Sequence, residues 1–342
     1  MTTMTTSEGG HDLVVASGKT QEAEVCSSAA DPVFVLAPPC TFSWIICGML
    51  GRHPQMYGLP ELHLFTAETM AGWLDLCARE SYDMDHGLLR AVAEIYFGAQ
   101  TEHTIARARG WLARRAHFTT GFLLELLIDR LKPLIPVEKS PSIVFRSEFL
   151  ERAFRMFPKA RFLHLVGHPR TYGESVMEIL GEAARRQPLP QSHWLLQLAS
   201  DPLSDVGGAS VGPVLDPQRS WYSLNTTIVA FLHSVPDDQK RTVRGEDLLT
   251  DSGGSIPQIA AWLDLRTDSE ALEEMTHPER SPYACYGPAN APFGSDIFLL
   301  PGPIFRPEWL TPRSLEGPLS WREDGQGLLP EVKELAKQFG YR

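Results

Sequence analysis

The hydrophobic pattern changes period along the chain. "DPVFVLAPP" (31–39) is a short apolar run, rich in β-branched residues and closed by Pro38 and Pro39. That is the pattern of a strand buried on both faces of a parallel sheet. "TFSWIICGML" then takes helical spacing and stops around Gly48 to Gly51, before "HPQMYGLPE". Residues 33–65 thus read as strand, tight turn, helix and second strand. Helical spacing returns over 67–79, 86–97 and 101–116, and in "TTGFLLELLIDRLKPL", which ends at Pro133 and Pro136. "VEKSPSIVF" begins a new unit, and "SEFLERAFRMFP" reads as a helix opened by Ser147. "ARFLHLVGHP" is a second buried strand that runs straight into the helix "TYGESVMEILGEAARR". Gln187 to Gln218 is polar and rich in Pro and Gly, the composition of a long loop or lid. "WYSLNTTIVAFLHSV" is helical, "RTVRGEDLL" contains a short strand, and "IPQIAAWLDL" is a helix. From Thr276 onward neither period persists, and no internal repeat is present.

Strands alternating with helices predict one three-layer α/β domain over 31–342, a central parallel sheet flanked by helices, with a helical insertion at about 67–133. Residues 1–30 read as a mostly disordered tail. Ligands of such sheets sit beyond the carboxyl ends of the strands. The "APPCTFS" and "GHPR" turns both lie at such ends, so they are expected to face one crevice.

Composition narrows the function. The 342 residues are 43% hydrophobic and 21% charged, as in ordinary soluble globular proteins. A net charge of −11 argues against a general nucleic-acid partner. Five scattered cysteines without a CxxC pair suit a reducing cytoplasm rather than a disulfide framework or zinc cluster. No apolar run reaches the ~18–20 residues of a membrane span. The histidines show no metal-ligand spacing, so no metal is expected, and His164 within "RFLHLV" reads as a core residue. No Walker lysine, G-x-S-x-G or G-x-G-x-x-G motif occurs. Trp194 and Trp221 flank the long loop and either line an apolar pocket or anchor the loop. The basic stripe "ARARGWLARR" is either a solvated face or a dock for an acidic carrier protein.

The first turn carries the candidate chemistry. A strand–loop–helix unit aims backbone N–H groups and a helix dipole at one point, an anion site even without a cation. Thr41 and Ser43 add hydroxyl donors there, or else cap the helix. Cys40 admits two readings. At a helix N-terminus its thiol is a candidate nucleophile, with Glu61 or His63 as base and the loop N–H groups as an oxyanion hole, which describes an acyltransferase or thioesterase. It is otherwise a small buried hydrophobe. Glu61 either acts as a base or caps a helix starting near Leu62. His63, two residues on, points to the other face if the segment is extended.

Five segments in order resemble the sulfotransferases that use 3′-phosphoadenosine-5′-phosphosulfate (PAPS), particularly bacterial ones of natural-product and glycolipid pathways. "VFVLAPPCTFSWIICGMLGRHPQMYGLPELHLF" is similar to the 5′-phosphosulfate loop, first helix and second strand, and "VEKSPS" to a Lys-[Ser/Thr]-Pro segment. "FPKARFLHLVGHPRTYGES" is similar to the 3′-phosphate strand and turn, "VRGEDLLTD" to a late Arg-x-Glu-Asp-Leu signature, and "HPERSPYACYGPANAPFGSD" to the loop that closes over the nucleotide. The resemblance implies sulfuryl transfer from PAPS to a hydroxyl of a small or carrier-bound metabolite. Thr41, Phe42, Ser43 and Trp44 would hold the 5′ side, and Ser175, Arg170 and Arg280 the 3′-phosphate. Glu61 would be the base, and Lys139 would stabilise the bridging oxygen. Two family cations are replaced, by Cys40 in the first loop and by Gly167 eight residues before Ser175. A non-catalytic scaffold on the same fold is therefore a further alternative.

Overall fold

The computed structural model describes residues 31–79, 84–186, 215–250, 252–294, 310–311 and 313–342. The tail 1–30, Trp194 and most of Gln187–Gln218 lie outside the described residues.

Five strands form one sheet: β1 (Val33–Leu36), β2 (Met56–Gly58), β3 (Ile135–Glu138), β4 (Arg161–Val166) and β5 (Lys240–Arg244). Their order is β2-β3-β1-β4-β5, and every pairing is parallel. Alternation along the central strands explains the layers. Phe34 and Leu36 of β1, with Phe162 and Val166 of β4, enter one core. Val33 and Val35, with Leu163 and Leu165, enter the other. A strand buried on both faces is apolar at nearly every position, His164 of β4 being hydrogen-bonded to Asn225, which is why β1 and β4 read as near-continuous hydrophobic runs.

The first core is roofed by α2 (Met70–Arg79), α3 (His86–Phe97), α4 (Glu102–Ala113), α5 (Thr120–Leu131), α6 (Ser147–Met156) and the helices Gln218–Leu232 and Pro330–Gln338. The second is covered by α1 (Ser43–Arg52) and the helices Gly245–Thr250, Ser252–Trp262 and Ser269–Met275. Helix α7 (Pro169–Arg186) follows β4. Helices α2 to α5 fill the interval between β2 and β3. Helix α6 opens at Ser147 as expected, with Arg146 at the N-cap and no side chain capping it. Trp221 is fully buried and its Nε1 donates to the Gly167 carbonyl at 2.9 Å, so it anchors the turn after β4 rather than lining a pocket.

Because all strands run the same way, the loops after β1, β2, β3, β4 and β5 share one edge. The first and fourth meet directly: a Cβ built on Gly167 would lie 3.0 Å from the Thr41 methyl. The two turns picked out by the sequence therefore face one crevice.

Candidate active site

In the loop after β1, Cys40 takes a left-handed backbone (φ 60°) and helix α1 begins only at Ser43. Phe42 is the N-cap residue, and no side chain caps the helix, so neither Thr41 nor Ser43 serves as a cap. Thr41 and Ser43 are both buried. The Thr41 Oγ1 has no hydrogen-bond partner among the described residues. A buried hydroxyl without a partner is costly, and this one sits where the loop would meet an anion. The Phe42 ring packs against Gly245, where a Cβ would strike it. Burial pushes the Cys40 thiol up to about 12, with Lys139 opposing and Glu61 adding to the rise. The thiol therefore stays protonated at neutral pH. A reactive cysteine is favoured by a depressed pKa, and burial around Cys40 acts in the opposite direction, which weighs against the nucleophile reading.

A second group forms where the loops after β2 and β3 meet. Lys139 Nζ donates to Glu61 Oε1 at 2.6 Å, and His63 Nε2 lies 3.6 Å from Glu61 Oε2. No helix starts at Leu62, so Glu61 caps nothing. Burial works against its ionisation, but Lys139 and then His63 outweigh burial and hold its pKa down to about 2. Lys139 is itself buried. His63 departs from the expected alternation. It adopts a left-handed backbone (φ 52°), so its ring turns back toward Glu61 instead of to the opposite face.

Glu61 and Lys139 line a cleft together with Trp44, Cys47, Leu59 and Tyr283. Apolar walls with few charged groups at one end are the usual build of a small-molecule site. Tyr283 shares a hydroxyl–hydroxyl hydrogen bond of 3.0 Å with Tyr57. The segment that carries Tyr283 also seats the carboxylate's backbone: Glu61 N–H donates to the Gly294 carbonyl at 3.0 Å. Gly87 and Gly294 allow this, since a Cβ on Gly87 would strike the Glu61 carbonyl and one on Gly294 would strike Gly87. Arg90, fully buried, holds the same segment through the carbonyls of Cys285 (3.0 Å) and Phe293 (3.2 Å).

The turn after β4 gathers the third group. Ser175 and Thr171 lie one turn apart on α7, both buried, and the Thr171 Oγ1 has no hydrogen-bond partner among the described residues. Arg170 starts nearby, but its guanidinium donates to the carbonyls of Glu316, Gly317 and Pro318. Arg313, which the sequence reading missed, donates to Glu174 at 2.8 Å. Burial, then Arg170 and Arg313, press the His168 pKa down to about 4. Arg280 pairs with Glu274 at 3.2 Å on the surface. Among the described residues no cluster could hold a metal ion, and no helix is long and apolar enough to cross a membrane.

The sequence model of the group described as "Sulfotransferase family" matches residues 32–269, more than half of the chain. Among solved structures, the "Sulfotransferase Domain from the Curacin Biosynthetic Pathway" is 18% identical, with a TM-score of 0.68 over 92% of this chain and 99% of that one. The "Sulfotransferase Domain from the Synechococcus PCC 7002 Olefin Synthase" is 21% identical, with a TM-score of 0.66 over 92% of this chain and 98% of that one. No curated protein is similar to the sequence at a significant level.

Proposed function

The chain belongs to the sulfotransferase family, and from that premise we propose that it moves a sulfuryl group from PAPS to a hydroxyl of a small or carrier-bound metabolite. The observation that carries this reading is the Glu61–Lys139 pair at the floor of an apolar cleft, 2.6 Å apart and beside the β1–α1 loop. The residues present fit the nucleotide at both ends. The partnerless Thr41 Oγ1, with Ser43 and the loop N–H groups, would hold the 5′ side. The partnerless Thr171 Oγ1 and Ser175, in the field of Arg170 and Arg313, would hold the 3′-phosphate. When bound, the nucleotide supplies an activated sulfuryl group.

The chain's own residues do the rest. Glu61, ionised and facing the cleft, takes the proton of the acceptor hydroxyl. Lys139 holds negative charge at the departing oxygen. A carboxylate near 2 is a weak base while Lys139 is wholly committed to it. Lys139 shared with an anion in the loop grips Glu61 less, and its pKa then climbs toward a stronger base. The apolar walls from Trp44, Cys47 and Leu59 favour an acceptor that presents its hydroxyl on a hydrophobic body. Arg107, Arg109 and Arg114, exposed on or just after α4, offer a basic face to an acidic carrier.

Calorimetric titration with 3′-phosphoadenosine-5′-phosphate tests the reading. Wild-type protein is expected to bind it at micromolar concentration and to be heat-stabilised by it. Ser175→Ala is expected to weaken binding roughly fivefold, the size of one hydrogen bond. No heat and no thermal shift at millimolar ligand would overturn the assignment of the donor.

A further inference from the structure

His63 sits in a backbone conformation that side-chain-bearing residues rarely adopt, so its neighbours must hold it there. They do so from one short segment. The His63 N–H donates to Ser140 Oγ at 2.8 Å, and Ser140 Oγ in turn donates to Glu138 Oε1. Ser142 Oγ lies 2.8 Å from His63 Nδ1. On the other side the His63 carbonyl accepts from Trp73 Nε1 at 3.1 Å and from Thr66 Oγ1 at 2.6 Å. Glu138, Ser140, Ser142 and His63 are all buried.

These contacts assign the hydrogens. Glu61 is ionised, and a lone pair on Nε2 turned toward a carboxylate would be repelled by it. Nε2 therefore carries the hydrogen, Nδ1 is the acceptor, and the Ser142 hydroxyl donates to it. We propose that Ser142 is a positioning residue that fixes the His63 tautomer, so that an N–H and not a lone pair faces Glu61, while Ser140 and Glu138 fix the backbone beneath it. The proposal rests on Glu61 as the base of the preceding reading. The charged or titratable groups facing the imidazole are Glu61 and Glu138, with Lys139 on the far side of Glu61.

Nitrogen-15 NMR of the histidine rings, at about pH 8 and above the ordinary histidine range, reads the tautomer without any assay of activity. Wild-type His63 is expected with hydrogen on Nε2 only, Ser142→Ala with a mixture of tautomers, and Ser142→Thr with the wild-type pattern. In sulfuryl transfer, Ser142→Ala is expected to lower kcat roughly fivefold to tenfold, the loss of one neutral hydrogen bond, with the donor KM unchanged. The acid limb of its pH profile moves to higher pH, because Glu61 loses an N–H that favours its ionised form. Hydrogen on Nδ1 in the wild type overturns the proposal, and so does a Ser142→Ala tautomer identical to wild type. If Ser142→Ala does not fold, the wild-type and Ser142→Thr spectra still decide. A correct tautomer with no sulfuryl transfer would sink the functional reading and leave the positioning intact.

Discussion

Beyond β2 and β3, charged side chains turn toward a cleft; beyond β4 and β5, they turn toward the protein's own C-terminal segment. Glu61 and Lys139 pair at the first location and floor the opening. At the second, Arg170 is engaged by the carbonyls of 316–318, Arg313 by Glu174, and Glu246 by Tyr341 at 2.8 Å and the His168 N–H at 2.7 Å. Both ends are electrostatically dense. The first keeps its charges beside an opening, and the second uses arginines to tie distant chain together. Gly167 carries no charge, and Arg170 and Arg313 both act on His168 beside it.

The largest expected effect lies at the first end. Glu61→Gln keeps the shape and removes the proposed base, so turnover should fall by roughly 10²–10⁴-fold, measured as sulfate transferred from labelled donor. A fall of less than tenfold would move the proton to another group. Lys139→Met leaves Glu61 half-buried without its cation. Stability should drop by about 2 kcal/mol, less than for a fully enclosed pair because Glu61 still reaches solvent, as read by denaturant unfolding.

The second end should announce itself in acid. His168 is held near 4 against an ordinary 6.5, so the folded state resists a proton that the unfolded chain accepts. Stability falls as pH drops from 6.5 toward 4, by at most about 1.4 kcal/mol per pH unit for that residue. His164, buried and also near 4, adds a second contribution of the same sign. His168→Asn should flatten the slope of Tm against pH across this window, and an unchanged slope would show that the turn after β4 is wetter than described. The smallest effect belongs to Cys40→Ser. With the thiol protonated at neutral pH, activity should stay within about twofold of wild type and iodoacetamide should label the residue slowly. Abolished activity would restore the cysteine as a participant.

Much of the fold was legible because burial on two faces writes itself into sequence. Val33–Leu36 and Arg161–Val166 are central strands, and both were read correctly. Helix α3 was read at His86–Phe97, since its apolar face points into the first core. Edge strand β2 was expected after the first helix, though its three residues are too few to fix its bounds from periodicity. The helix Pro330–Gln338 was missed, because it lies in a stretch whose prolines, glycines and aromatics masked its spacing. At the site, Glu61 and Lys139 were recognisable by their place after two strands. Their contact was not, since it spans 78 positions of separation. His63 was misdirected for a sharper reason: alternation assumes extended backbone, and a left-handed residue reverses the side on which the ring emerges. Arg313 left no local signal at all, because its role comes from the way the C-terminal segment folds back onto α7.

The seat of Glu61 has a consequence for how the protein comes into being. The hydrogen bond that places this carboxylate's backbone ends on the carbonyl of Gly294, and the glycine pair at 87 and 294 lets the partners meet. During synthesis the strand order can be laid down and the two cores can begin to fill while that carbonyl is still inside the ribosome. The seat of Glu61 waits for it. That contact is thus among the last this chain can form as it is made, and a nascent chain halted before residue 294 would carry all five strands with the Glu61 backbone unseated.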